Sequence, residues 1–125
     1  SLWMEKKLYQ KSLEILSDFL ECDFDLSNFS FISRQLKKII LRQKIKILKT
    51  DYHLFKKNNG VTLIFILSNS HLALHTWPEK RLVNLDLFIC NFTRNYEKQI
   101  NNIYREVKNL LKPKKTILKK IIRIT

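Results

Sequence analysis

Hydrophobic and polar residues alternate in several short runs of this chain, and the clearest runs predict β-strands. Residues 63–67 are apolar throughout, and residues 71–77 alternate in character. An alternation of period two places successive side chains on opposite faces of a sheet. The second run therefore directs His75 and Trp77 to one face, and Ser68-Asn69 between the two runs predicts a tight turn.

Further runs extend this strand-rich pattern along the chain. Residues 45–53 and 83–89 alternate in the same way, and residues 116–124 are rich in β-branched side chains, so each segment predicts a strand. The clearest turn is Asn58-Asn59-Gly60, whose residues tolerate positive φ angles. Residues 2–21 fit a helical and a strand periodicity equally well, so the pattern does not assign that segment.

Two segments repeat apolar residues at helical spacing instead. The first follows a polar break, with Ser30 as the expected N-cap, and continues to Ile40. The second extends from Phe92 to Leu110 and stops before Pro113. The elements together predict an α+β fold: a two-layer α/β sandwich in which two helices cover one face of a mostly antiparallel sheet.

Length and composition limit the class of protein. The 125 residues predict a single domain, 1–125, with a core that needs no disulfide or metal. No apolar run approaches the ~18–20 residues of a membrane span, and charges replace the apolar part of a signal peptide, so we expect a cytoplasmic protein with no membrane contact. Cys22 and Cys90 form no CxxC pair, which suits a reducing compartment. A single glycine, Gly60, excludes glycine-rich phosphate-binding loops.

The net charge of +13 makes nucleic acid a partner to consider. The basic residues concentrate in two blocks, 34–49 and 105–123. Neither block interleaves aromatic side chains with its charges, and a platform that stacks nucleotide bases would need them. We therefore favour solvated basic faces over a nucleic-acid site.

Candidate chemistry concentrates in residues 69–79. His71 and His75 are four residues apart on a predicted strand, which separates their Cα atoms by ~13 Å and argues against a shared zinc ion. Ser70, His75 and Glu79 could form a hydrolase triad, but the sequence has no GxSxG nucleophile elbow. The residue pattern alone leaves the reaction open.

The run Ser70-His71-Leu72-Ala73-Leu74-His75-Thr76-Trp77-Pro78-Glu79, followed by Cys90, closely resembles the signature of the prokaryotic S-adenosylmethionine decarboxylases. These are small pyruvoyl-dependent enzymes of polyamine synthesis. The resemblance covers roughly residues 12–125, and the SH-x3-HTWPE pattern is highly specific. Shorter matches to the family lie at residues 18–23, 60–62 and 86–90.

The resemblance implies a proenzyme that cuts itself between Asn69 and Ser70 into a β chain, 1–69, and an α chain, 70–125. Ser70 Oγ would attack the carbonyl of Asn69, and elimination would then leave a pyruvoyl group in place of the serine. That group would condense with the α-amine of S-adenosylmethionine, and the imine (Schiff base) would serve as the electron sink for loss of carbon dioxide. The product would serve spermidine synthesis. No metal and no pyridoxal phosphate are expected, and the family implies a homodimer with its sites near the interface.

The resemblance also implies roles for individual side chains. His75 and Thr62 would act in processing, and Cys90 would protonate the substrate carbon after decarboxylation. Glu79 would accept hydrogen bonds from the ribose hydroxyls, since a carboxylate suits a vicinal diol. Trp77 would lie beside the adenine.

Departures from the family pattern at Asn69, at Lys80-Arg81 and at Asn91, which replaces a glycine, leave alternatives open, and the match of Phe55 needs an adjustment of its own. Phe55 would stack on adenine, but it lies five residues before Gly60 where the family has four, so the resemblance requires a one-residue insertion in the turn. Asn69 replaces a glutamate, and cleavage is still predicted because the reacting atoms belong to the backbone and to the serine. Lys80-Arg81 replaces Tyr-Gly beside a pocket that receives a sulfonium. The alternatives are the same chemistry on ornithine or arginine, and an unprocessed, inactive paralogue that acts as a regulatory or basic binding partner.

Overall fold

A computed structural model describes residues 8–92 and 94–125 of the protein. Its elements, in chain order, are β1 (Lys11–Leu20), α1 (Phe29–Arg42), β2 (Ile47–Phe55), β3 (Gly60–Leu67), β4 (Ser70–Trp77), a 3₁₀ turn (Pro78–Lys80), β5 (Leu82–Ile89), α2 (Glu97–Leu111) and β6 (Lys115–Ile124). The six strands form one sheet, so the predicted α+β sandwich is confirmed. Within the described residues, no helix is long and apolar enough to cross a membrane.

The strand order in the sheet is β2-β3-β4-β5-β1-β6, and each of the five neighbouring pairs is antiparallel. β1 therefore lies between β5 and β6, although those two strands come from the other end of the chain. The register places His75 opposite Thr62 on one side and opposite Asn84 on the other. At the far end of the same strand, Ser70 faces Ile89.

The sheet has two unlike faces. One packs against the helices and forms the core, in which Ile15, Leu74 and Leu87 of the sheet and Leu36 and Ile103 of the helices are fully buried. We call the other face the open face, because most of its side chains are half-buried or exposed. Along the three central strands it presents Thr62, Ile64, Ile66, His71, Ala73, His75, Trp77, Asn84, Asp86 and Phe88.

The helix boundaries differ from the prediction at both N-termini. The side chain of Asn28 caps α1 by accepting a hydrogen bond of 3.3 Å from a backbone N–H in the first turn. The expected N-cap at Ser30 is wrong, because that residue already lies inside the helix. α2 begins at Glu97, whose N–H is bonded to the Asn95 side chain. The exposed Phe92 matched the helical spacing but lies in the preceding loop.

The strand β1 resolves the ambiguous segment 2–21 over the part that is described. Residues 1–7 lie outside the described residues, and 11–20 form a strand. This strand pairs with β5 on one side and with β6 on the other. Pairing with two distant segments determines its structure, because strand formation depends on cross-strand neighbours more than on local propensity.

Candidate active site

A pocket of about 310 Å³ opens at one end of the open face. Four residues singled out from the sequence line it: Phe55 of β2, Thr62 of β3, and His75 and Trp77 of β4. The turn between β2 and β3 adds Lys57 and Asn58, which the sequence pattern gave no reason to include. The pocket thus combines two aromatic side chains with groups that can form hydrogen bonds.

His75 is held by the residue directly opposite it on β3. Its Nδ1 lies 3.0 Å from Thr62 Oγ1, and the direction of this hydrogen bond depends on the imidazole tautomer. The bond fixes the ring and occupies one of its nitrogens, so Nε2 is the atom that can exchange a proton with a reacting group. The structure therefore brings together the two residues that resemble the family's processing pair.

A chain of hydrogen bonds fixes the indole of Trp77. Its Nε1–H donates to Asn84 Oδ1 at 2.7 Å, and Asn84 Nδ2–H donates to Asp18 Oδ1 at 2.8 Å. The chain links three adjacent strands, β4, β5 and β1. No role for Asn84 was predicted, because strand alternation shows which face a residue occupies and not which neighbour it contacts.

Gly60 allows the turn between β2 and β3 to approach the end of β4. A Cβ atom at this position would lie 2.7 Å from the carbonyl oxygen of Thr76. The Gly60 N–H donates to Asn58 Oδ1 at 2.9 Å, and Asn59 has a φ of 58°, so the predicted turn is confirmed. Phe55 pairs directly with Gly60 across this turn, which places its ring at the pocket.

The bond between Asn69 and Ser70 lies at the other end of β4, in the turn from β3. The carbonyl oxygen of Asn69 accepts a hydrogen bond of 2.7 Å from the N–H of Cys90. Ser70 has a φ of 133°, a region that residues with a side chain rarely adopt. Such a conformation costs ~1–3 kcal/mol and is kept only where the surroundings impose it. Ser70 therefore has a strained backbone conformation, and the carbonyl group of the preceding bond is polarised.

The two cysteines occupy different environments. Cys90 is half-buried and directly follows β5, next to the bond between Asn69 and Ser70. Cys22 is buried, and its thiol donates to the carbonyl of Phe19. Burial raises the pKa of Cys22 to about 11, although the positive charge of Arg81 partly opposes the shift. Cys22 therefore stays protonated at neutral pH, and Cys90 is the better candidate for chemistry.

The residues after Trp77 form the 3₁₀ turn, in which Glu79 is exposed beyond the lining of the pocket. Lys80 Nζ lies 5.3 Å from the centre of the Trp77 ring, a cation–π distance. Arg81 points elsewhere, since its Nε donates to the carbonyl of Cys22 at 3.1 Å. Of the two cations expected beside the pocket, Lys80 is the one that lies against its aromatic wall.

An ionic cluster lies on the open face between the two ends of β4. His71 Nε2 is 3.3 Å from Asp86 Oδ1, but the geometry is not that of a hydrogen bond, so this buried oxygen has no donor among the described residues. Glu14 is paired with Arg123 at 2.7 Å. One ligand atom each of Glu14, His71 and Asp86 lies within 4.8 Å of the others. The guanidinium at the same place disfavours a cation there, and we assign the cluster no metal.

The predicted site residues thus form two groups. The pocket end comprises Phe55, Thr62, His75, Trp77 and Glu79. The cleavage end comprises Asn69, Ser70 and Cys90. Ser70 and His75 are five residues apart on one extended strand, which separates their Cα atoms by about 16 Å. One copy of the chain therefore does not bring His75 to Ser70.

The amino-acid sequence is similar to those of known proteins. The family model for S-adenosylmethionine decarboxylase matches residues 13–124. An S-adenosylmethionine decarboxylase proenzyme of Clostridium botulinum (strain Langeland) is 33% identical over 110 residues, which are 87% of this chain and 90% of the relative. The proenzyme of Thermotoga petrophila is 34% identical over 77 residues, 61% of this chain and 58% of that protein.

A solved structure shows the same fold. The adenosylmethionine decarboxylase of Aquifex aeolicus superimposes with a TM-score of 0.75 at 22% identity, covering 88% of each chain. At that identity the likeness concerns the fold alone. The family match, by contrast, spans nearly the whole sequence and includes both the pocket end and the cleavage end. On this evidence the chain belongs to the S-adenosylmethionine decarboxylase family.

Proposed function

We propose that this protein is a pyruvoyl-dependent decarboxylase of S-adenosylmethionine, formed when the proenzyme cuts itself between Asn69 and Ser70. The observation that carries the proposal is the state of that bond. Its serine is held at a φ of 133°, and its carbonyl accepts a 2.7 Å hydrogen bond from the Cys90 N–H. Family membership supports the reaction class, and the strained serine and the polarised carbonyl support cleavage at this bond.

Cleavage starts when Ser70 Oγ attacks the carbonyl carbon of Asn69. The C–N bond breaks as a C–O ester bond forms, and the hydroxyl proton passes to the nitrogen of Ser70. The Cys90 N–H is bonded to the carbonyl oxygen, so it stabilises the negative charge that develops on this atom. Loss of the strained peptide conformation, ~1–3 kcal/mol, also favours the shift.

Elimination then completes the cut. Loss of the Cα proton of Ser70 expels the carboxylate of Asn69, which becomes the C-terminus of the 1–69 chain. Water hydrolyses the remaining unsaturated amine and releases ammonia, which leaves a pyruvoyl group at the start of the 70–125 chain. The side chain of Asn69 takes no part in these steps, and its Oδ1 is bonded instead to the Ser68 hydroxyl at 2.7 Å.

The chain's own residues would bind and orient the substrate around that group. When present, the pyruvoyl carbonyl supplies the electrophile for the substrate amine and the sink for the electrons that carbon dioxide leaves behind. Phe55 and Trp77 offer aromatic surfaces to adenine, and Glu79 offers a carboxylate to the ribose hydroxyls. Cys90, which lies at the cleavage end, would return a proton to the substrate carbon.

The 16 Å between the two ends of β4 leads us to propose that the site is completed by a second copy. A two-fold axis that runs parallel to the open face, at right angles to β4 and above Ala73, would stack the open faces of two copies and reverse the direction of that strand. Ser70 of one copy would then face His75 of the other, across the ~10 Å that separates packed sheets. The large apolar side chains on this face support such packing, since Ile64 and Ile66 are 38% and 45% exposed.

The pocket favours S-adenosylmethionine over the alternative substrates. Ornithine and arginine carry a side-chain cation and no aromatic group, so they would encounter the positive charges of Lys57 and Lys80 without gaining from Phe55 or Trp77. S-adenosylmethionine also carries a positive charge, on its sulfonium. Its adenine can stack on the aromatic walls, and this stacking offsets the repulsion between the sulfonium and the two lysines.

Intact-mass measurement after expression tests the proposal. We expect the 15.1 kDa chain to be replaced by two fragments with a junction at Asn69 and Ser70. Ser70→Ala should remain whole, whereas the matched control Ser68→Ala should be cut. A wild-type chain that stays intact on long incubation would exclude self-processing and favour the inactive paralogue. Carbon dioxide release from ornithine or arginine, with none from S-adenosylmethionine, would reassign the substrate.

A further inference from the structure

A second concave site lies on the helical side of the protein, away from the open face. It is a cleft of about 320 Å³ between the C-terminal end of α1 and the first turns of α2. Four cationic side chains line it, Arg42, Lys44, Arg94 and Lys98, together with three amide side chains. No carboxylate is among its lining residues. We call it the α1–α2 cleft.

Most of the positive charge in this cleft is uncompensated. Arg42 is bonded to Glu106 at 2.6 Å, which offsets its charge. Lys44, Arg94 and Lys98 form no salt bridge with any residue in the described part of the chain. Like charges that converge on a concave surface repel each other and concentrate anions from solution.

The ends of the two helices hold these cations in place. Lys44 has a φ of 59°, and its N–H is bonded to the carbonyl of Leu41, so the chain turns sharply at the end of α1. Lys98 lies in the first turn of α2, a 15-residue helix whose N-terminal end adds positive partial charge. Glu97 in the same turn is exposed and does not line the cleft.

The amide groups include an unused acceptor. Asn102 Nδ2–H donates to Gln43 Oε1 at 3.2 Å, which ties the two helices together across the cleft. Gln99 Oε1 is buried and accepts no hydrogen bond from any described residue. A buried acceptor without a donor is costly, so this atom favours a ligand that carries an O–H or N–H group.

We propose that the α1–α2 cleft binds an oligophosphate group, either free tripolyphosphate or the phosphate tail of a nucleotide. Three uncompensated cations match a chain of charged phosphates, and a ribose hydroxyl of a nucleotide would donate to Gln99 Oε1. The volume of about 320 Å³ lies within the roughly 300–1,000 Å³ of small-molecule sites. The proposal is independent of the decarboxylase function, since the cleft lies on the opposite side of the sheet.

Thermal unfolding and calorimetric titration of the full chain with sodium tripolyphosphate, at constant ionic strength, test this proposal. We expect saturable binding and a rise in melting temperature that follows ligand concentration. Lys44→Gln/Lys98→Gln should bind about tenfold more weakly and, without ligand, melt at or above the wild-type temperature because charge repulsion is relieved. Lys108→Gln/Lys114→Gln removes the same charge from exposed positions towards the other end of α2 and should retain wild-type affinity.

The remaining outcomes separate the sources of the anion. If the protein binds tripolyphosphate and adenosine triphosphate with similar affinity, the cleft recognises the phosphate chain alone. If it binds the nucleotide more tightly, the cleft recognises the phosphate tail of a nucleotide. Equal loss of affinity in both double variants would show that only bulk charge attracts the anion, and would overturn the proposal. Single-stranded RNA of about eight nucleotides that binds more tightly than tripolyphosphate would reassign the cleft to nucleic acid. Absence of saturable binding would also refute the proposal.

Discussion

Coexpression of Ser70→Ala and His75→Ala chains tests whether one copy of the protein completes the cleavage site of another. The first change removes the attacking hydroxyl, and the second removes the imidazole bonded to Thr62. We expect each variant alone to stay intact. The two positions are five residues apart on β4, about 16 Å in an extended strand, so a single chain cannot join them without unfolding that strand.

The expected yield follows from the pairing of the chains. Equal amounts of two variants that associate at random give about half mixed dimers. In a mixed dimer, the His75→Ala chain keeps its Ser70 and meets the intact imidazole of the other copy. The cut should therefore appear in about half of the His75→Ala chains, or about a quarter of all chains. If the site lay within one chain, the expected yield would be zero, because neither chain has both groups.

Mass spectrometry of chains that carry tags of different mass measures this yield. The matched control is His75→Ala coexpressed with a chain that carries both substitutions, a mixture that contains no imidazole at this position and should not be cut. Circular dichroism and the dimer fraction show whether each variant folds and pairs. Mixed dimers that form but remain uncut would refute the shared site, and wild-type cleavage of His75→Ala alone would refute the role of the imidazole.

Three further predictions follow from the geometry. Gly60→Ala should lower the free energy of unfolding by ~1–3 kcal/mol in urea titration, because the new Cβ would lie 2.7 Å from the Thr76 carbonyl oxygen; wild-type stability would contradict that close approach. A thiol reagent at neutral pH should label Cys90 but not the buried Cys22, and equal labelling of the two would contradict this prediction. The free energy of unfolding should also fall between pH 9.0 and about 11, because in this range the unfolded chain ionises Cys22 and the folded chain does not. Asn69→Ala should still be cut, within about fivefold of the wild-type rate, since only a side-chain hydrogen bond is lost; an uncut chain would give this side chain a role in the reaction.

The local pattern of hydrophobic residues was sufficient to predict a strand whose own residues show a clear apolar run or alternation. β3 follows from a continuous apolar run, and β4 and β5 follow from apolar residues at every second position. These three strands carry Thr62, Ser70, His75 and Trp77 of the predicted site. β1 could not be assigned in that way, because its structure depends on β5 and β6, which come much later in the chain. The start of α2 was misplaced because Phe92 matches the helical period by coincidence.

The features of the candidate site could likewise be inferred from the sequence only in part. The motif indicated the candidate site residues. Their division between the two ends of a strand follows once Ser70 and His75 are both placed on β4. The φ of Ser70 and the bond from the Cys90 N–H to the Asn69 carbonyl could not be inferred. Both depend on the register between strands, which the sequence of neither strand specifies alone.

The order of the strands has a consequence for the fate of the two pieces after a cut between residues 69 and 70. The first piece would contain β1, β2 and β3, and the second would contain β4, β5 and β6. Because β1 lies between β5 and β6 while β3 lies beside β4, three hydrogen-bonded strand pairs would still join the pieces. The fragments would remain interlocked, and neither would contain a complete core. Folding must therefore precede cutting, and the mature protein would be a non-covalent complex that its two fragments, once separated and unfolded, could rebuild only by folding together.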